Sequence, residues 1–237
     1  MNSDRFCGIL QHNPPIDVVQ SCIDQYTNRE YDKDILLVAY IYSTVDVLKL
    51  LLSNGFKPGN MIGKVLQFGN QLKKLQLIID YGAILRPRIL LDAHPLSNDV
   101  LEILLKANVN PNVILDGEPI LHTYIRKRIN TDDKIHLLLR YGANPNIKLV
   151  GRKRNTILGF ALHYKSLSTI ELLLKYGANA YEEELSCTNP LMILLLLRYD
   201  KSLQQSVLHR KVLIVCDMML YGRLSVEWNI EIKGFLY

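Results

Sequence analysis

The 237-residue sequence lacks the features of a disulfide-linked, zinc-binding or membrane-spanning protein. Its four cysteines, Cys7, Cys22, Cys187 and Cys216, form no C-x-x-C pair and have no histidine at zinc-finger spacing. We therefore expect no metal and no disulfide framework. The longest apolar run, 190–197, is far shorter than the roughly 20 residues that cross a bilayer, and the first residues lack the apolar core of a signal peptide. These absences predict a cytoplasmic protein, with the nucleus as an alternative, that makes no membrane contact.

The patterns that accompany catalysis are also missing. The sequence has no Gly-rich phosphate loop, no paired carboxylates, and no Ser or Cys nucleophile with a matched base. We therefore expect no enzymatic activity, no catalytic residue and no cofactor.

The charge balance is only mildly basic. Lys and Arg number 28 against 23 Asp and Glu, which gives a formal net charge of +5. Such an excess is too small to indicate nucleic-acid binding, although it suits a partner that has an acidic patch. Hydrophobic residues make up 49% of the chain and charged residues 22%, so the sequence can fill a core and is not expected to be disordered.

A leucine-rich phrase that ends in glycine or asparagine recurs along the chain. Clear copies end at Gly55, Gly82, Asn108, Gly142 and Gly177, and weaker copies end at Thr27 and Gly222. Glycine and asparagine are the residues that most readily take a positive φ and so halt a helix. Residues suited to cap a first turn precede four of the phrases: Thr44, Asn98, Thr131 and Ser168. Seven copies predict stacked helix-turn-helix units, in which each phrase is the second helix.

Motifs between the phrases resemble the ankyrin repeat. Residues 116–122, Asp-Gly-Glu-Pro-Ile-Leu-His, match the ankyrin opening D-G-x-T-P-L-H at the Asp, the Gly and the Leu-His. Residues 155–161 keep its Thr and Leu and a following Ala, 188–191 keep the Pro-Leu, and Gly-Ala-Asn-Pro-Asn stands at 142–146. The motifs are specific over 98–191. They imply that His122 makes hydrogen bonds within its own unit.

The resemblance implies an all-α fold, an ankyrin-repeat solenoid of about seven irregular helix-turn-helix units. The array would span 1–222, and 223–237 would be a C-terminal cap or a truncated tail. The clear end residues stand 27 and 26 residues apart up to Asn108, then 34 and 35 residues apart. Since an ankyrin unit averages about 33 residues, we expect long β-turn fingers only near 110–118, 144–155 and 179–189.

Unequal repeats with Tyr-Gly-Ala-Asn-Pro-Asn at 141–146 are similar to the ankyrin proteins of poxviruses. This similarity implies a host-range or immune-evasion factor that captures a host signalling, antiviral or cell-death protein in the host cell cytoplasm. Many such proteins carry an F-box-like tail, of which residues 228–237 share only a Glu-Ile-Lys. Two alternatives stay open: an adaptor that delivers a bound host protein to a cullin ubiquitin ligase, and a non-viral intracellular ankyrin scaffold.

A basic finger is the first candidate partner-binding segment. Arg152, Lys153 and Arg154 are consecutive cations at a turn, where they would attract an acidic surface. The alternative is a solvated loop, or a loop that pairs with the acidic segment 181–184 and contributes little.

The end of a first helix is the second candidate segment. Tyrosine and arginine are frequent anchors of protein interfaces, although a basic helix end also suits the helix dipole without any partner. The predicted contact residues are Tyr124, Arg126, Lys127 and Arg128, with His163 and Tyr164 at the equivalent place one unit later.

Overall fold

A computed structural model of the chain describes residues 1–69, 71–92, 97–126, 132–148, 156–164, 167–179, 196, 198 and 199. Over these residues the protein is mostly helical, with twelve α-helices, two 3₁₀ helices and two strands of two residues each. The all-α expectation is therefore confirmed. The chain divides into two compact units, 1–115 and 116–237. No helix in the described ranges is long and apolar enough to cross a membrane.

In its described residues the first unit contains eight short α-helices and two 3₁₀ helices, and it ends in a strand. Its elements are α1 (Ser3–Leu10), α2 (Ile16–Gln25), a 3₁₀ helix (Arg29–Tyr31), α3 (Asp32–Tyr42), α4 (Val45–Ser53), α5 (Ile62–Val65), a 3₁₀ helix (Leu66–Phe68), α6 (Leu72–Asp80), α7 (Ile89–Asp92), α8 (Asn98–Lys106) and β1 (Ile114–Leu115). Helices α1, α3, α5 and α7 pack in succession as one layer, and α2, α4, α6 and α8 pack in succession as another.

Helices of both layers bury two adjacent pairs of apolar residues, one turn apart. In the odd layer, α3 buries Ile35, Leu36, Ala39 and Tyr40; in the even layer, α4 buries Val47, Leu48, Leu51 and Leu52, and α8 buries Val100, Leu101, Leu104 and Leu105. Residues four apart lie on one face of a helix, so each helix presents one apolar stripe to its neighbours. The stripes form the core of the unit.

The second unit repeats this arrangement in its described part. It contains β2 (Glu118–Pro119), α9 (Ile120–Arg126), α10 (Asp132–Arg140), α11 (Ile157–Tyr164) and α12 (Leu167–Lys175). Helix α9 packs against α11 and α10 packs against α12, while α9–α10 and α11–α12 pack as pairs.

Five leucine-rich phrases end as the sequence predicts. The φ angles are 84° at Gly55, 85° at Gly82, 62° at Asn108, 90° at Gly142 and 83° at Gly177. At the first of these ends, the Gly55 N–H donates to the Leu52 carbonyl at 3.1 Å and the Phe56 N–H donates to Leu51 at 3.3 Å. The same two hydrogen bonds close the other four helices. They are the bonds of a Schellman motif, which satisfies the last carbonyls of a helix.

The weak copy at the N-terminus ends differently. Helix α2 ends at Gln25, and Tyr26 then takes an extended conformation, with φ −97° and ψ 113°. Thr27 has no positive φ, so its prediction as a helix-ending residue is wrong. A β-branched residue is strained in the left-handed region. Gly222 lies outside the described residues.

The capping predictions are confirmed at one position and wrong at two. Thr44 Oγ1 accepts the Val47 N–H at 3.3 Å and caps α4. Helix α8 is capped by Ser97 rather than Asn98, because the Ser97 hydroxyl accepts the Val100 N–H. Ser168 lies inside the first turn of α12 and donates to Asp132 instead. Thr131 is outside the described ranges.

The finger predicted at 110–118 coincides with the two strands, which flank a turn at Asp116 and Gly117. Both turn residues have positive φ, 53° and 79°. The described connections 54–61 and 81–88, within the closely spaced repeats, contain no strand. The 144–155 finger is described only as far as residue 148, and nearly all of the 179–189 finger lies beyond the described residues.

Candidate protein-binding surface

Part of the predicted contact segment is described by the structure. Tyr124 and Arg126 lie in α9, and His163 and the backbone of Tyr164 lie in α11. The other predicted contacts lie outside the described residues: Lys127, Arg128, Arg152, Lys153 and Arg154.

Arg126 and His163 occupy the same register on neighbouring helices. Each stands six residues after the first residue of its helix, Ile120 or Ile157, and both of those isoleucines are buried. Both Arg126 and His163 are exposed. Because α9 packs against α11, the two side chains belong to one exposed edge of this helix layer.

Glu118 holds Arg126 in place on this edge. Glu118 Oε2 lies 3.3 Å from Arg126 Nη2, and the Arg126 side chain remains 52% exposed. The same carboxylate oxygen lies 3.3 Å from Nδ1 of His122, whose side chain is fully buried. Arg126 therefore presents a guanidinium that is oriented by its own chain and still accessible to a second carboxylate, since its fork carries five N–H donors.

His122 joins the edge to the core of the unit. Its ring packs edge-to-face against Phe160 of α11, with the ring centroids 4.4 Å apart. His122 thus contacts Glu118 on one side and the next helix of the layer on the other. The expectation that His122 makes a hydrogen bond within its own unit is confirmed. Sequence reasoning missed Glu118, because it lies in β2 before the start of α9 and no helical spacing relates it to His122.

Tyr124 does not belong to the exposed edge. Its side chain is 0% exposed, and burial raises the pKa of its hydroxyl well above the usual value. Its prediction as a partner contact is therefore wrong. Burial of the whole helix explains the correction: every residue of α9 before Arg126 is buried, so Tyr124 has no exposed face on which to lie.

An asparagine side chain links the two repeats of this unit. Asn146 Nδ2 donates to the Gly177 carbonyl at 2.8 Å, and Asn146 Oδ1 accepts the Asn179 N–H at 2.8 Å. Asn144 Oδ1 in turn accepts the Asn146 N–H at 2.8 Å, which fixes the turn. The Asn-Pro-Asn sequence at 144–146 indicates a turn, but no local pattern predicts the hydrogen bonds to residues more than thirty positions away.

A carboxylate makes a second link, between α10 and α12. Asp132 accepts hydrogen bonds from Ser168 Oγ at 2.6 Å and from Thr169 Oγ1 at 2.5 Å. Both hydroxyls stand in the first turn of α12, and Asp132 opens α10. Together, the two links hold the helix layers in register and so position the exposed edge.

The described residues offer little for metal or thiol chemistry. No group of three or more His, Cys, Asp or Glu side chains among them is placed to hold a metal ion. Cys7 and Cys22 are free thiols. Burial raises the pKa of both thiols, which disfavours the reactive thiolate.

Comparisons of the chain with protein families, with curated proteins and with solved structures found no match.

Proposed function

We propose that this chain is an ankyrin-type repeat protein that captures another protein, and that the exposed edge of α9 and α11 forms part of its contact surface. The partner is a host signalling, antiviral or cell-death protein, and the chain acts as a viral host-range or immune-evasion factor in the host cytoplasm. The contact residues would be Arg126, Lys127, Arg128, Arg152, Lys153, Arg154, His163 and Tyr164.

The repeated helix end is the observation that supports the repeat architecture. Five second helices finish with the same pair of backbone hydrogen bonds at a left-handed residue. Within each unit, first helices pack against first helices and second against second. A chain built from such units buries its core between neighbours and leaves one edge of each layer for binding.

The accessible guanidinium supports the contact surface. Arg126 is held by Glu118 but remains half exposed, so less side-chain entropy is lost when a partner binds it. His163 occupies the same register position on α11, which packs against α9. An edge that carries Arg and His, and that Lys127 and Arg128 continue in the sequence, suits a partner with a carboxylate-rich patch.

Affinity purification of the full chain from host cells, with identification of bound proteins by mass spectrometry, tests the proposal. Arg126→Gln, and separately the charge reversal of 152–154 to glutamate, should each weaken capture of the partner by about tenfold. The matched control is Arg140→Gln, since Arg140 is an exposed arginine at the end of a second helix.

Two outcomes would redirect the proposal. If every captured protein bound the Arg126→Gln and 152–154 variants as well as the unaltered chain, this surface would not be the contact. If a cullin-complex subunit co-purified and was lost on deletion of 223–237, the chain would be a ligase adaptor instead.

A further inference from the structure

In its described residues the first unit exposes four aromatic side chains at or beside helix ends, Tyr31, Tyr42, Phe68 and Tyr81, and two of them end helical stretches of the odd-numbered layer. Tyr42, the last residue of α3, is 52% exposed, and Phe68, the last residue of the 3₁₀ helix after α5, is 46% exposed. Neither ring fills the core of the unit. Exposed aromatic surface on a folded domain is typical of a contact site for another molecule.

The two aromatic residues occupy one register position. In α3 the second buried pair is Ala39–Tyr40, and in the helical stretch 62–68 it is Val65–Leu66. Tyr42 and Phe68 each follow the second residue of that pair by two positions. Because α3 packs against α5, both rings belong to the same edge of the odd-numbered layer.

A lysine accompanies the aromatic residues. Lys64 is exposed and lies in the same helical stretch as Phe68, four residues before it. We name Tyr42, Lys64 and Phe68 the aromatic edge. The aromatic edge offers a ligand apolar surface and a positive charge.

The surrounding sequence strengthens the positive charge. Residues 49–91 contain seven cations, Lys49, Lys57, Lys64, Lys73, Lys74, Arg86 and Arg88, against a single acid, Asp80. All but Lys74 are exposed. An excess of one sign over a contiguous stretch attracts ligands of the opposite sign.

We propose that the aromatic edge binds an acidic peptide segment of a partner protein, in which carboxylates stand next to apolar side chains. The apolar side chains pack on Tyr42 and Phe68, and a carboxylate pairs with Lys64. The inference rests on the proposed protein-binding function, but it adds a second contact surface and names the chemistry of the segment that fits it.

A peptide fits this region better than a nucleic acid does. Residues 1–48 carry seven acids, Asp4, Asp17, Asp24, Glu30, Asp32, Asp34 and Asp46, against three cations. A polyanion gains affinity by neutralising several phosphates at once, and the acids of this region, which includes Tyr42, oppose such binding. A short acidic segment requires only the local positive charge.

Selection of random 16-residue peptides displayed on phage against the purified full chain tests the inference. The enriched peptides should contain Asp or Glu beside Leu, Ile or Phe. Synthesised with a fluorescent label, they should bind about tenfold more weakly to Tyr42→Ser/Phe68→Ser and to Lys64→Glu, and more weakly as salt increases. Tyr42→Phe should keep the affinity, because it retains the ring.

Matched controls come from the even-numbered layer. Tyr81→Ser removes an aromatic residue of 39% exposure just after α6, and Lys106→Glu reverses an exposed lysine on α8 that lies outside 49–91. Neither change should alter peptide affinity more than about twofold. Circular dichroism of each variant separates lost binding from lost folding.

Four results would overturn the inference: no enriched peptide, enriched peptides without acidic residues, equal losses in the control variants, or displacement of the peptides by an oligouridylate. If the affinity of the peptides depended on Arg126 rather than on Tyr42, the aromatic edge would not be the binding site, but the proposed function would be supported. If instead Arg126→Gln captured the partner as well as the unaltered chain does, and peptide affinity still depended on Tyr42, the aromatic edge would be supported and the contact surface on α9 and α11 would not.

Discussion

Hydrogen bonds link neighbouring repeats in both units, but the acceptors of these bonds differ between the units. In both, the second residue after a left-handed helix end donates its N–H to the preceding repeat. In the first unit the Ile84 N–H bonds to the Gly59 carbonyl at 2.6 Å, and in the second the Asn179 N–H bonds to the Asn146 side chain at 2.8 Å. Gly59 and Asn146 occupy one register, each four residues after a left-handed glycine.

The type of acceptor differs with the length of the repeat. A backbone carbonyl makes the link where the left-handed residues, Gly55 and Gly82, stand 27 residues apart; a side-chain amide makes it where Gly142 and Gly177 stand 35 apart. A backbone acceptor survives substitution, whereas an amide side chain can be removed. The second unit therefore depends more on the identity of individual residues for its register.

The second helices show the same contrast at another register position. Lys74 and Thr169 each stand eight residues before a left-handed glycine. Lys74 Nζ donates to the Tyr40 carbonyl at 2.7 Å, near the C-terminus of a first helix, where a cation is favoured by the helix dipole. Thr169 instead donates to the side chain of Asp132 on a second helix. At these two register positions the acceptor that joins neighbouring repeats is a backbone carbonyl in the first unit and a side-chain oxygen in the second, where the Asn146 amide also donates to the Gly177 carbonyl.

The largest predicted effect tests whether the units are independent. Leu51 and Leu138 are both 0% exposed and stand four residues before a left-handed glycine. Leu51→Ala and Leu138→Ala should each lower the free energy of unfolding by about 2–5 kcal/mol through the cavity they leave. Hydrogen exchange should speed up mainly in 1–115 for the first variant and mainly in 116–179 for the second.

Equal acceleration of exchange on both sides of residue 115 in both variants would show one cooperative unit. The comparison between the units would then describe local geometry only. Lys49→Ala, at an exposed position of α4, is the control and should leave both exchange patterns unchanged, since exposed substitutions of this kind stay within about 0.5 kcal/mol.

The next effect concerns the side-chain link. Asn146→Ala removes two hydrogen bonds and leaves the Gly177 carbonyl and the Asn179 N–H without that partner, so unfolding free energy should fall by about 1–3 kcal/mol. Asn60→Ala is the control beside the backbone link, because Asn60 is exposed and the Gly59 carbonyl remains. Urea unfolding of both variants measures the difference, and equal losses would contradict the contrast between backbone and side-chain links.

Sequence reasoning predicted the features that local pattern determines. The five left-handed helix ends and the Thr44 cap follow from periodicity and from residues suited to those conformations. Ser97 and Asn98 are both good capping residues, so the sequence could not separate them by one position. The burial of Tyr124 does not follow from the spacing of apolar residues, because α9 is buried all round up to Arg126, including the polar His122 and Thr123.

Links between repeats were not predictable in the same way. The Asn146–Gly177 bond joins residues 31 positions apart, and the Asp132–Thr169 bond joins residues 37 apart. Both depend on how neighbouring helices stack. A single sequence shows that Asn146 and Asp132 suit turns and helix starts, but it does not show which distant group each will meet.

The smallest predicted effect compares two aspartates, each of which opens a helix. Asp32 is buried, and burial raises its pKa above the ordinary 3.8 even though it accepts the Lys57 N–H and lies near Arg29. The folded state therefore disfavours the ionised form of Asp32. Stability is lost as pH rises from 3.8 through the raised pKa, and it is fully present only below that range.

Asp32→Asn removes this titration and keeps an acceptor for the Lys57 N–H. Its unfolding free energy at pH 7 should match or exceed that of the unaltered chain, with the difference vanishing as pH falls to 3.8. Asp132→Asn should instead lower stability at pH 7 by about 1 kcal/mol, because one oxygen that accepts a hydroxyl is replaced by an NH₂ donor. Urea midpoints from pH 3.5 to 7 measure both. A loss of equal size in the two variants at pH 7 would mean that the Asp32 carboxylate is as well satisfied as that of Asp132, despite its raised pKa.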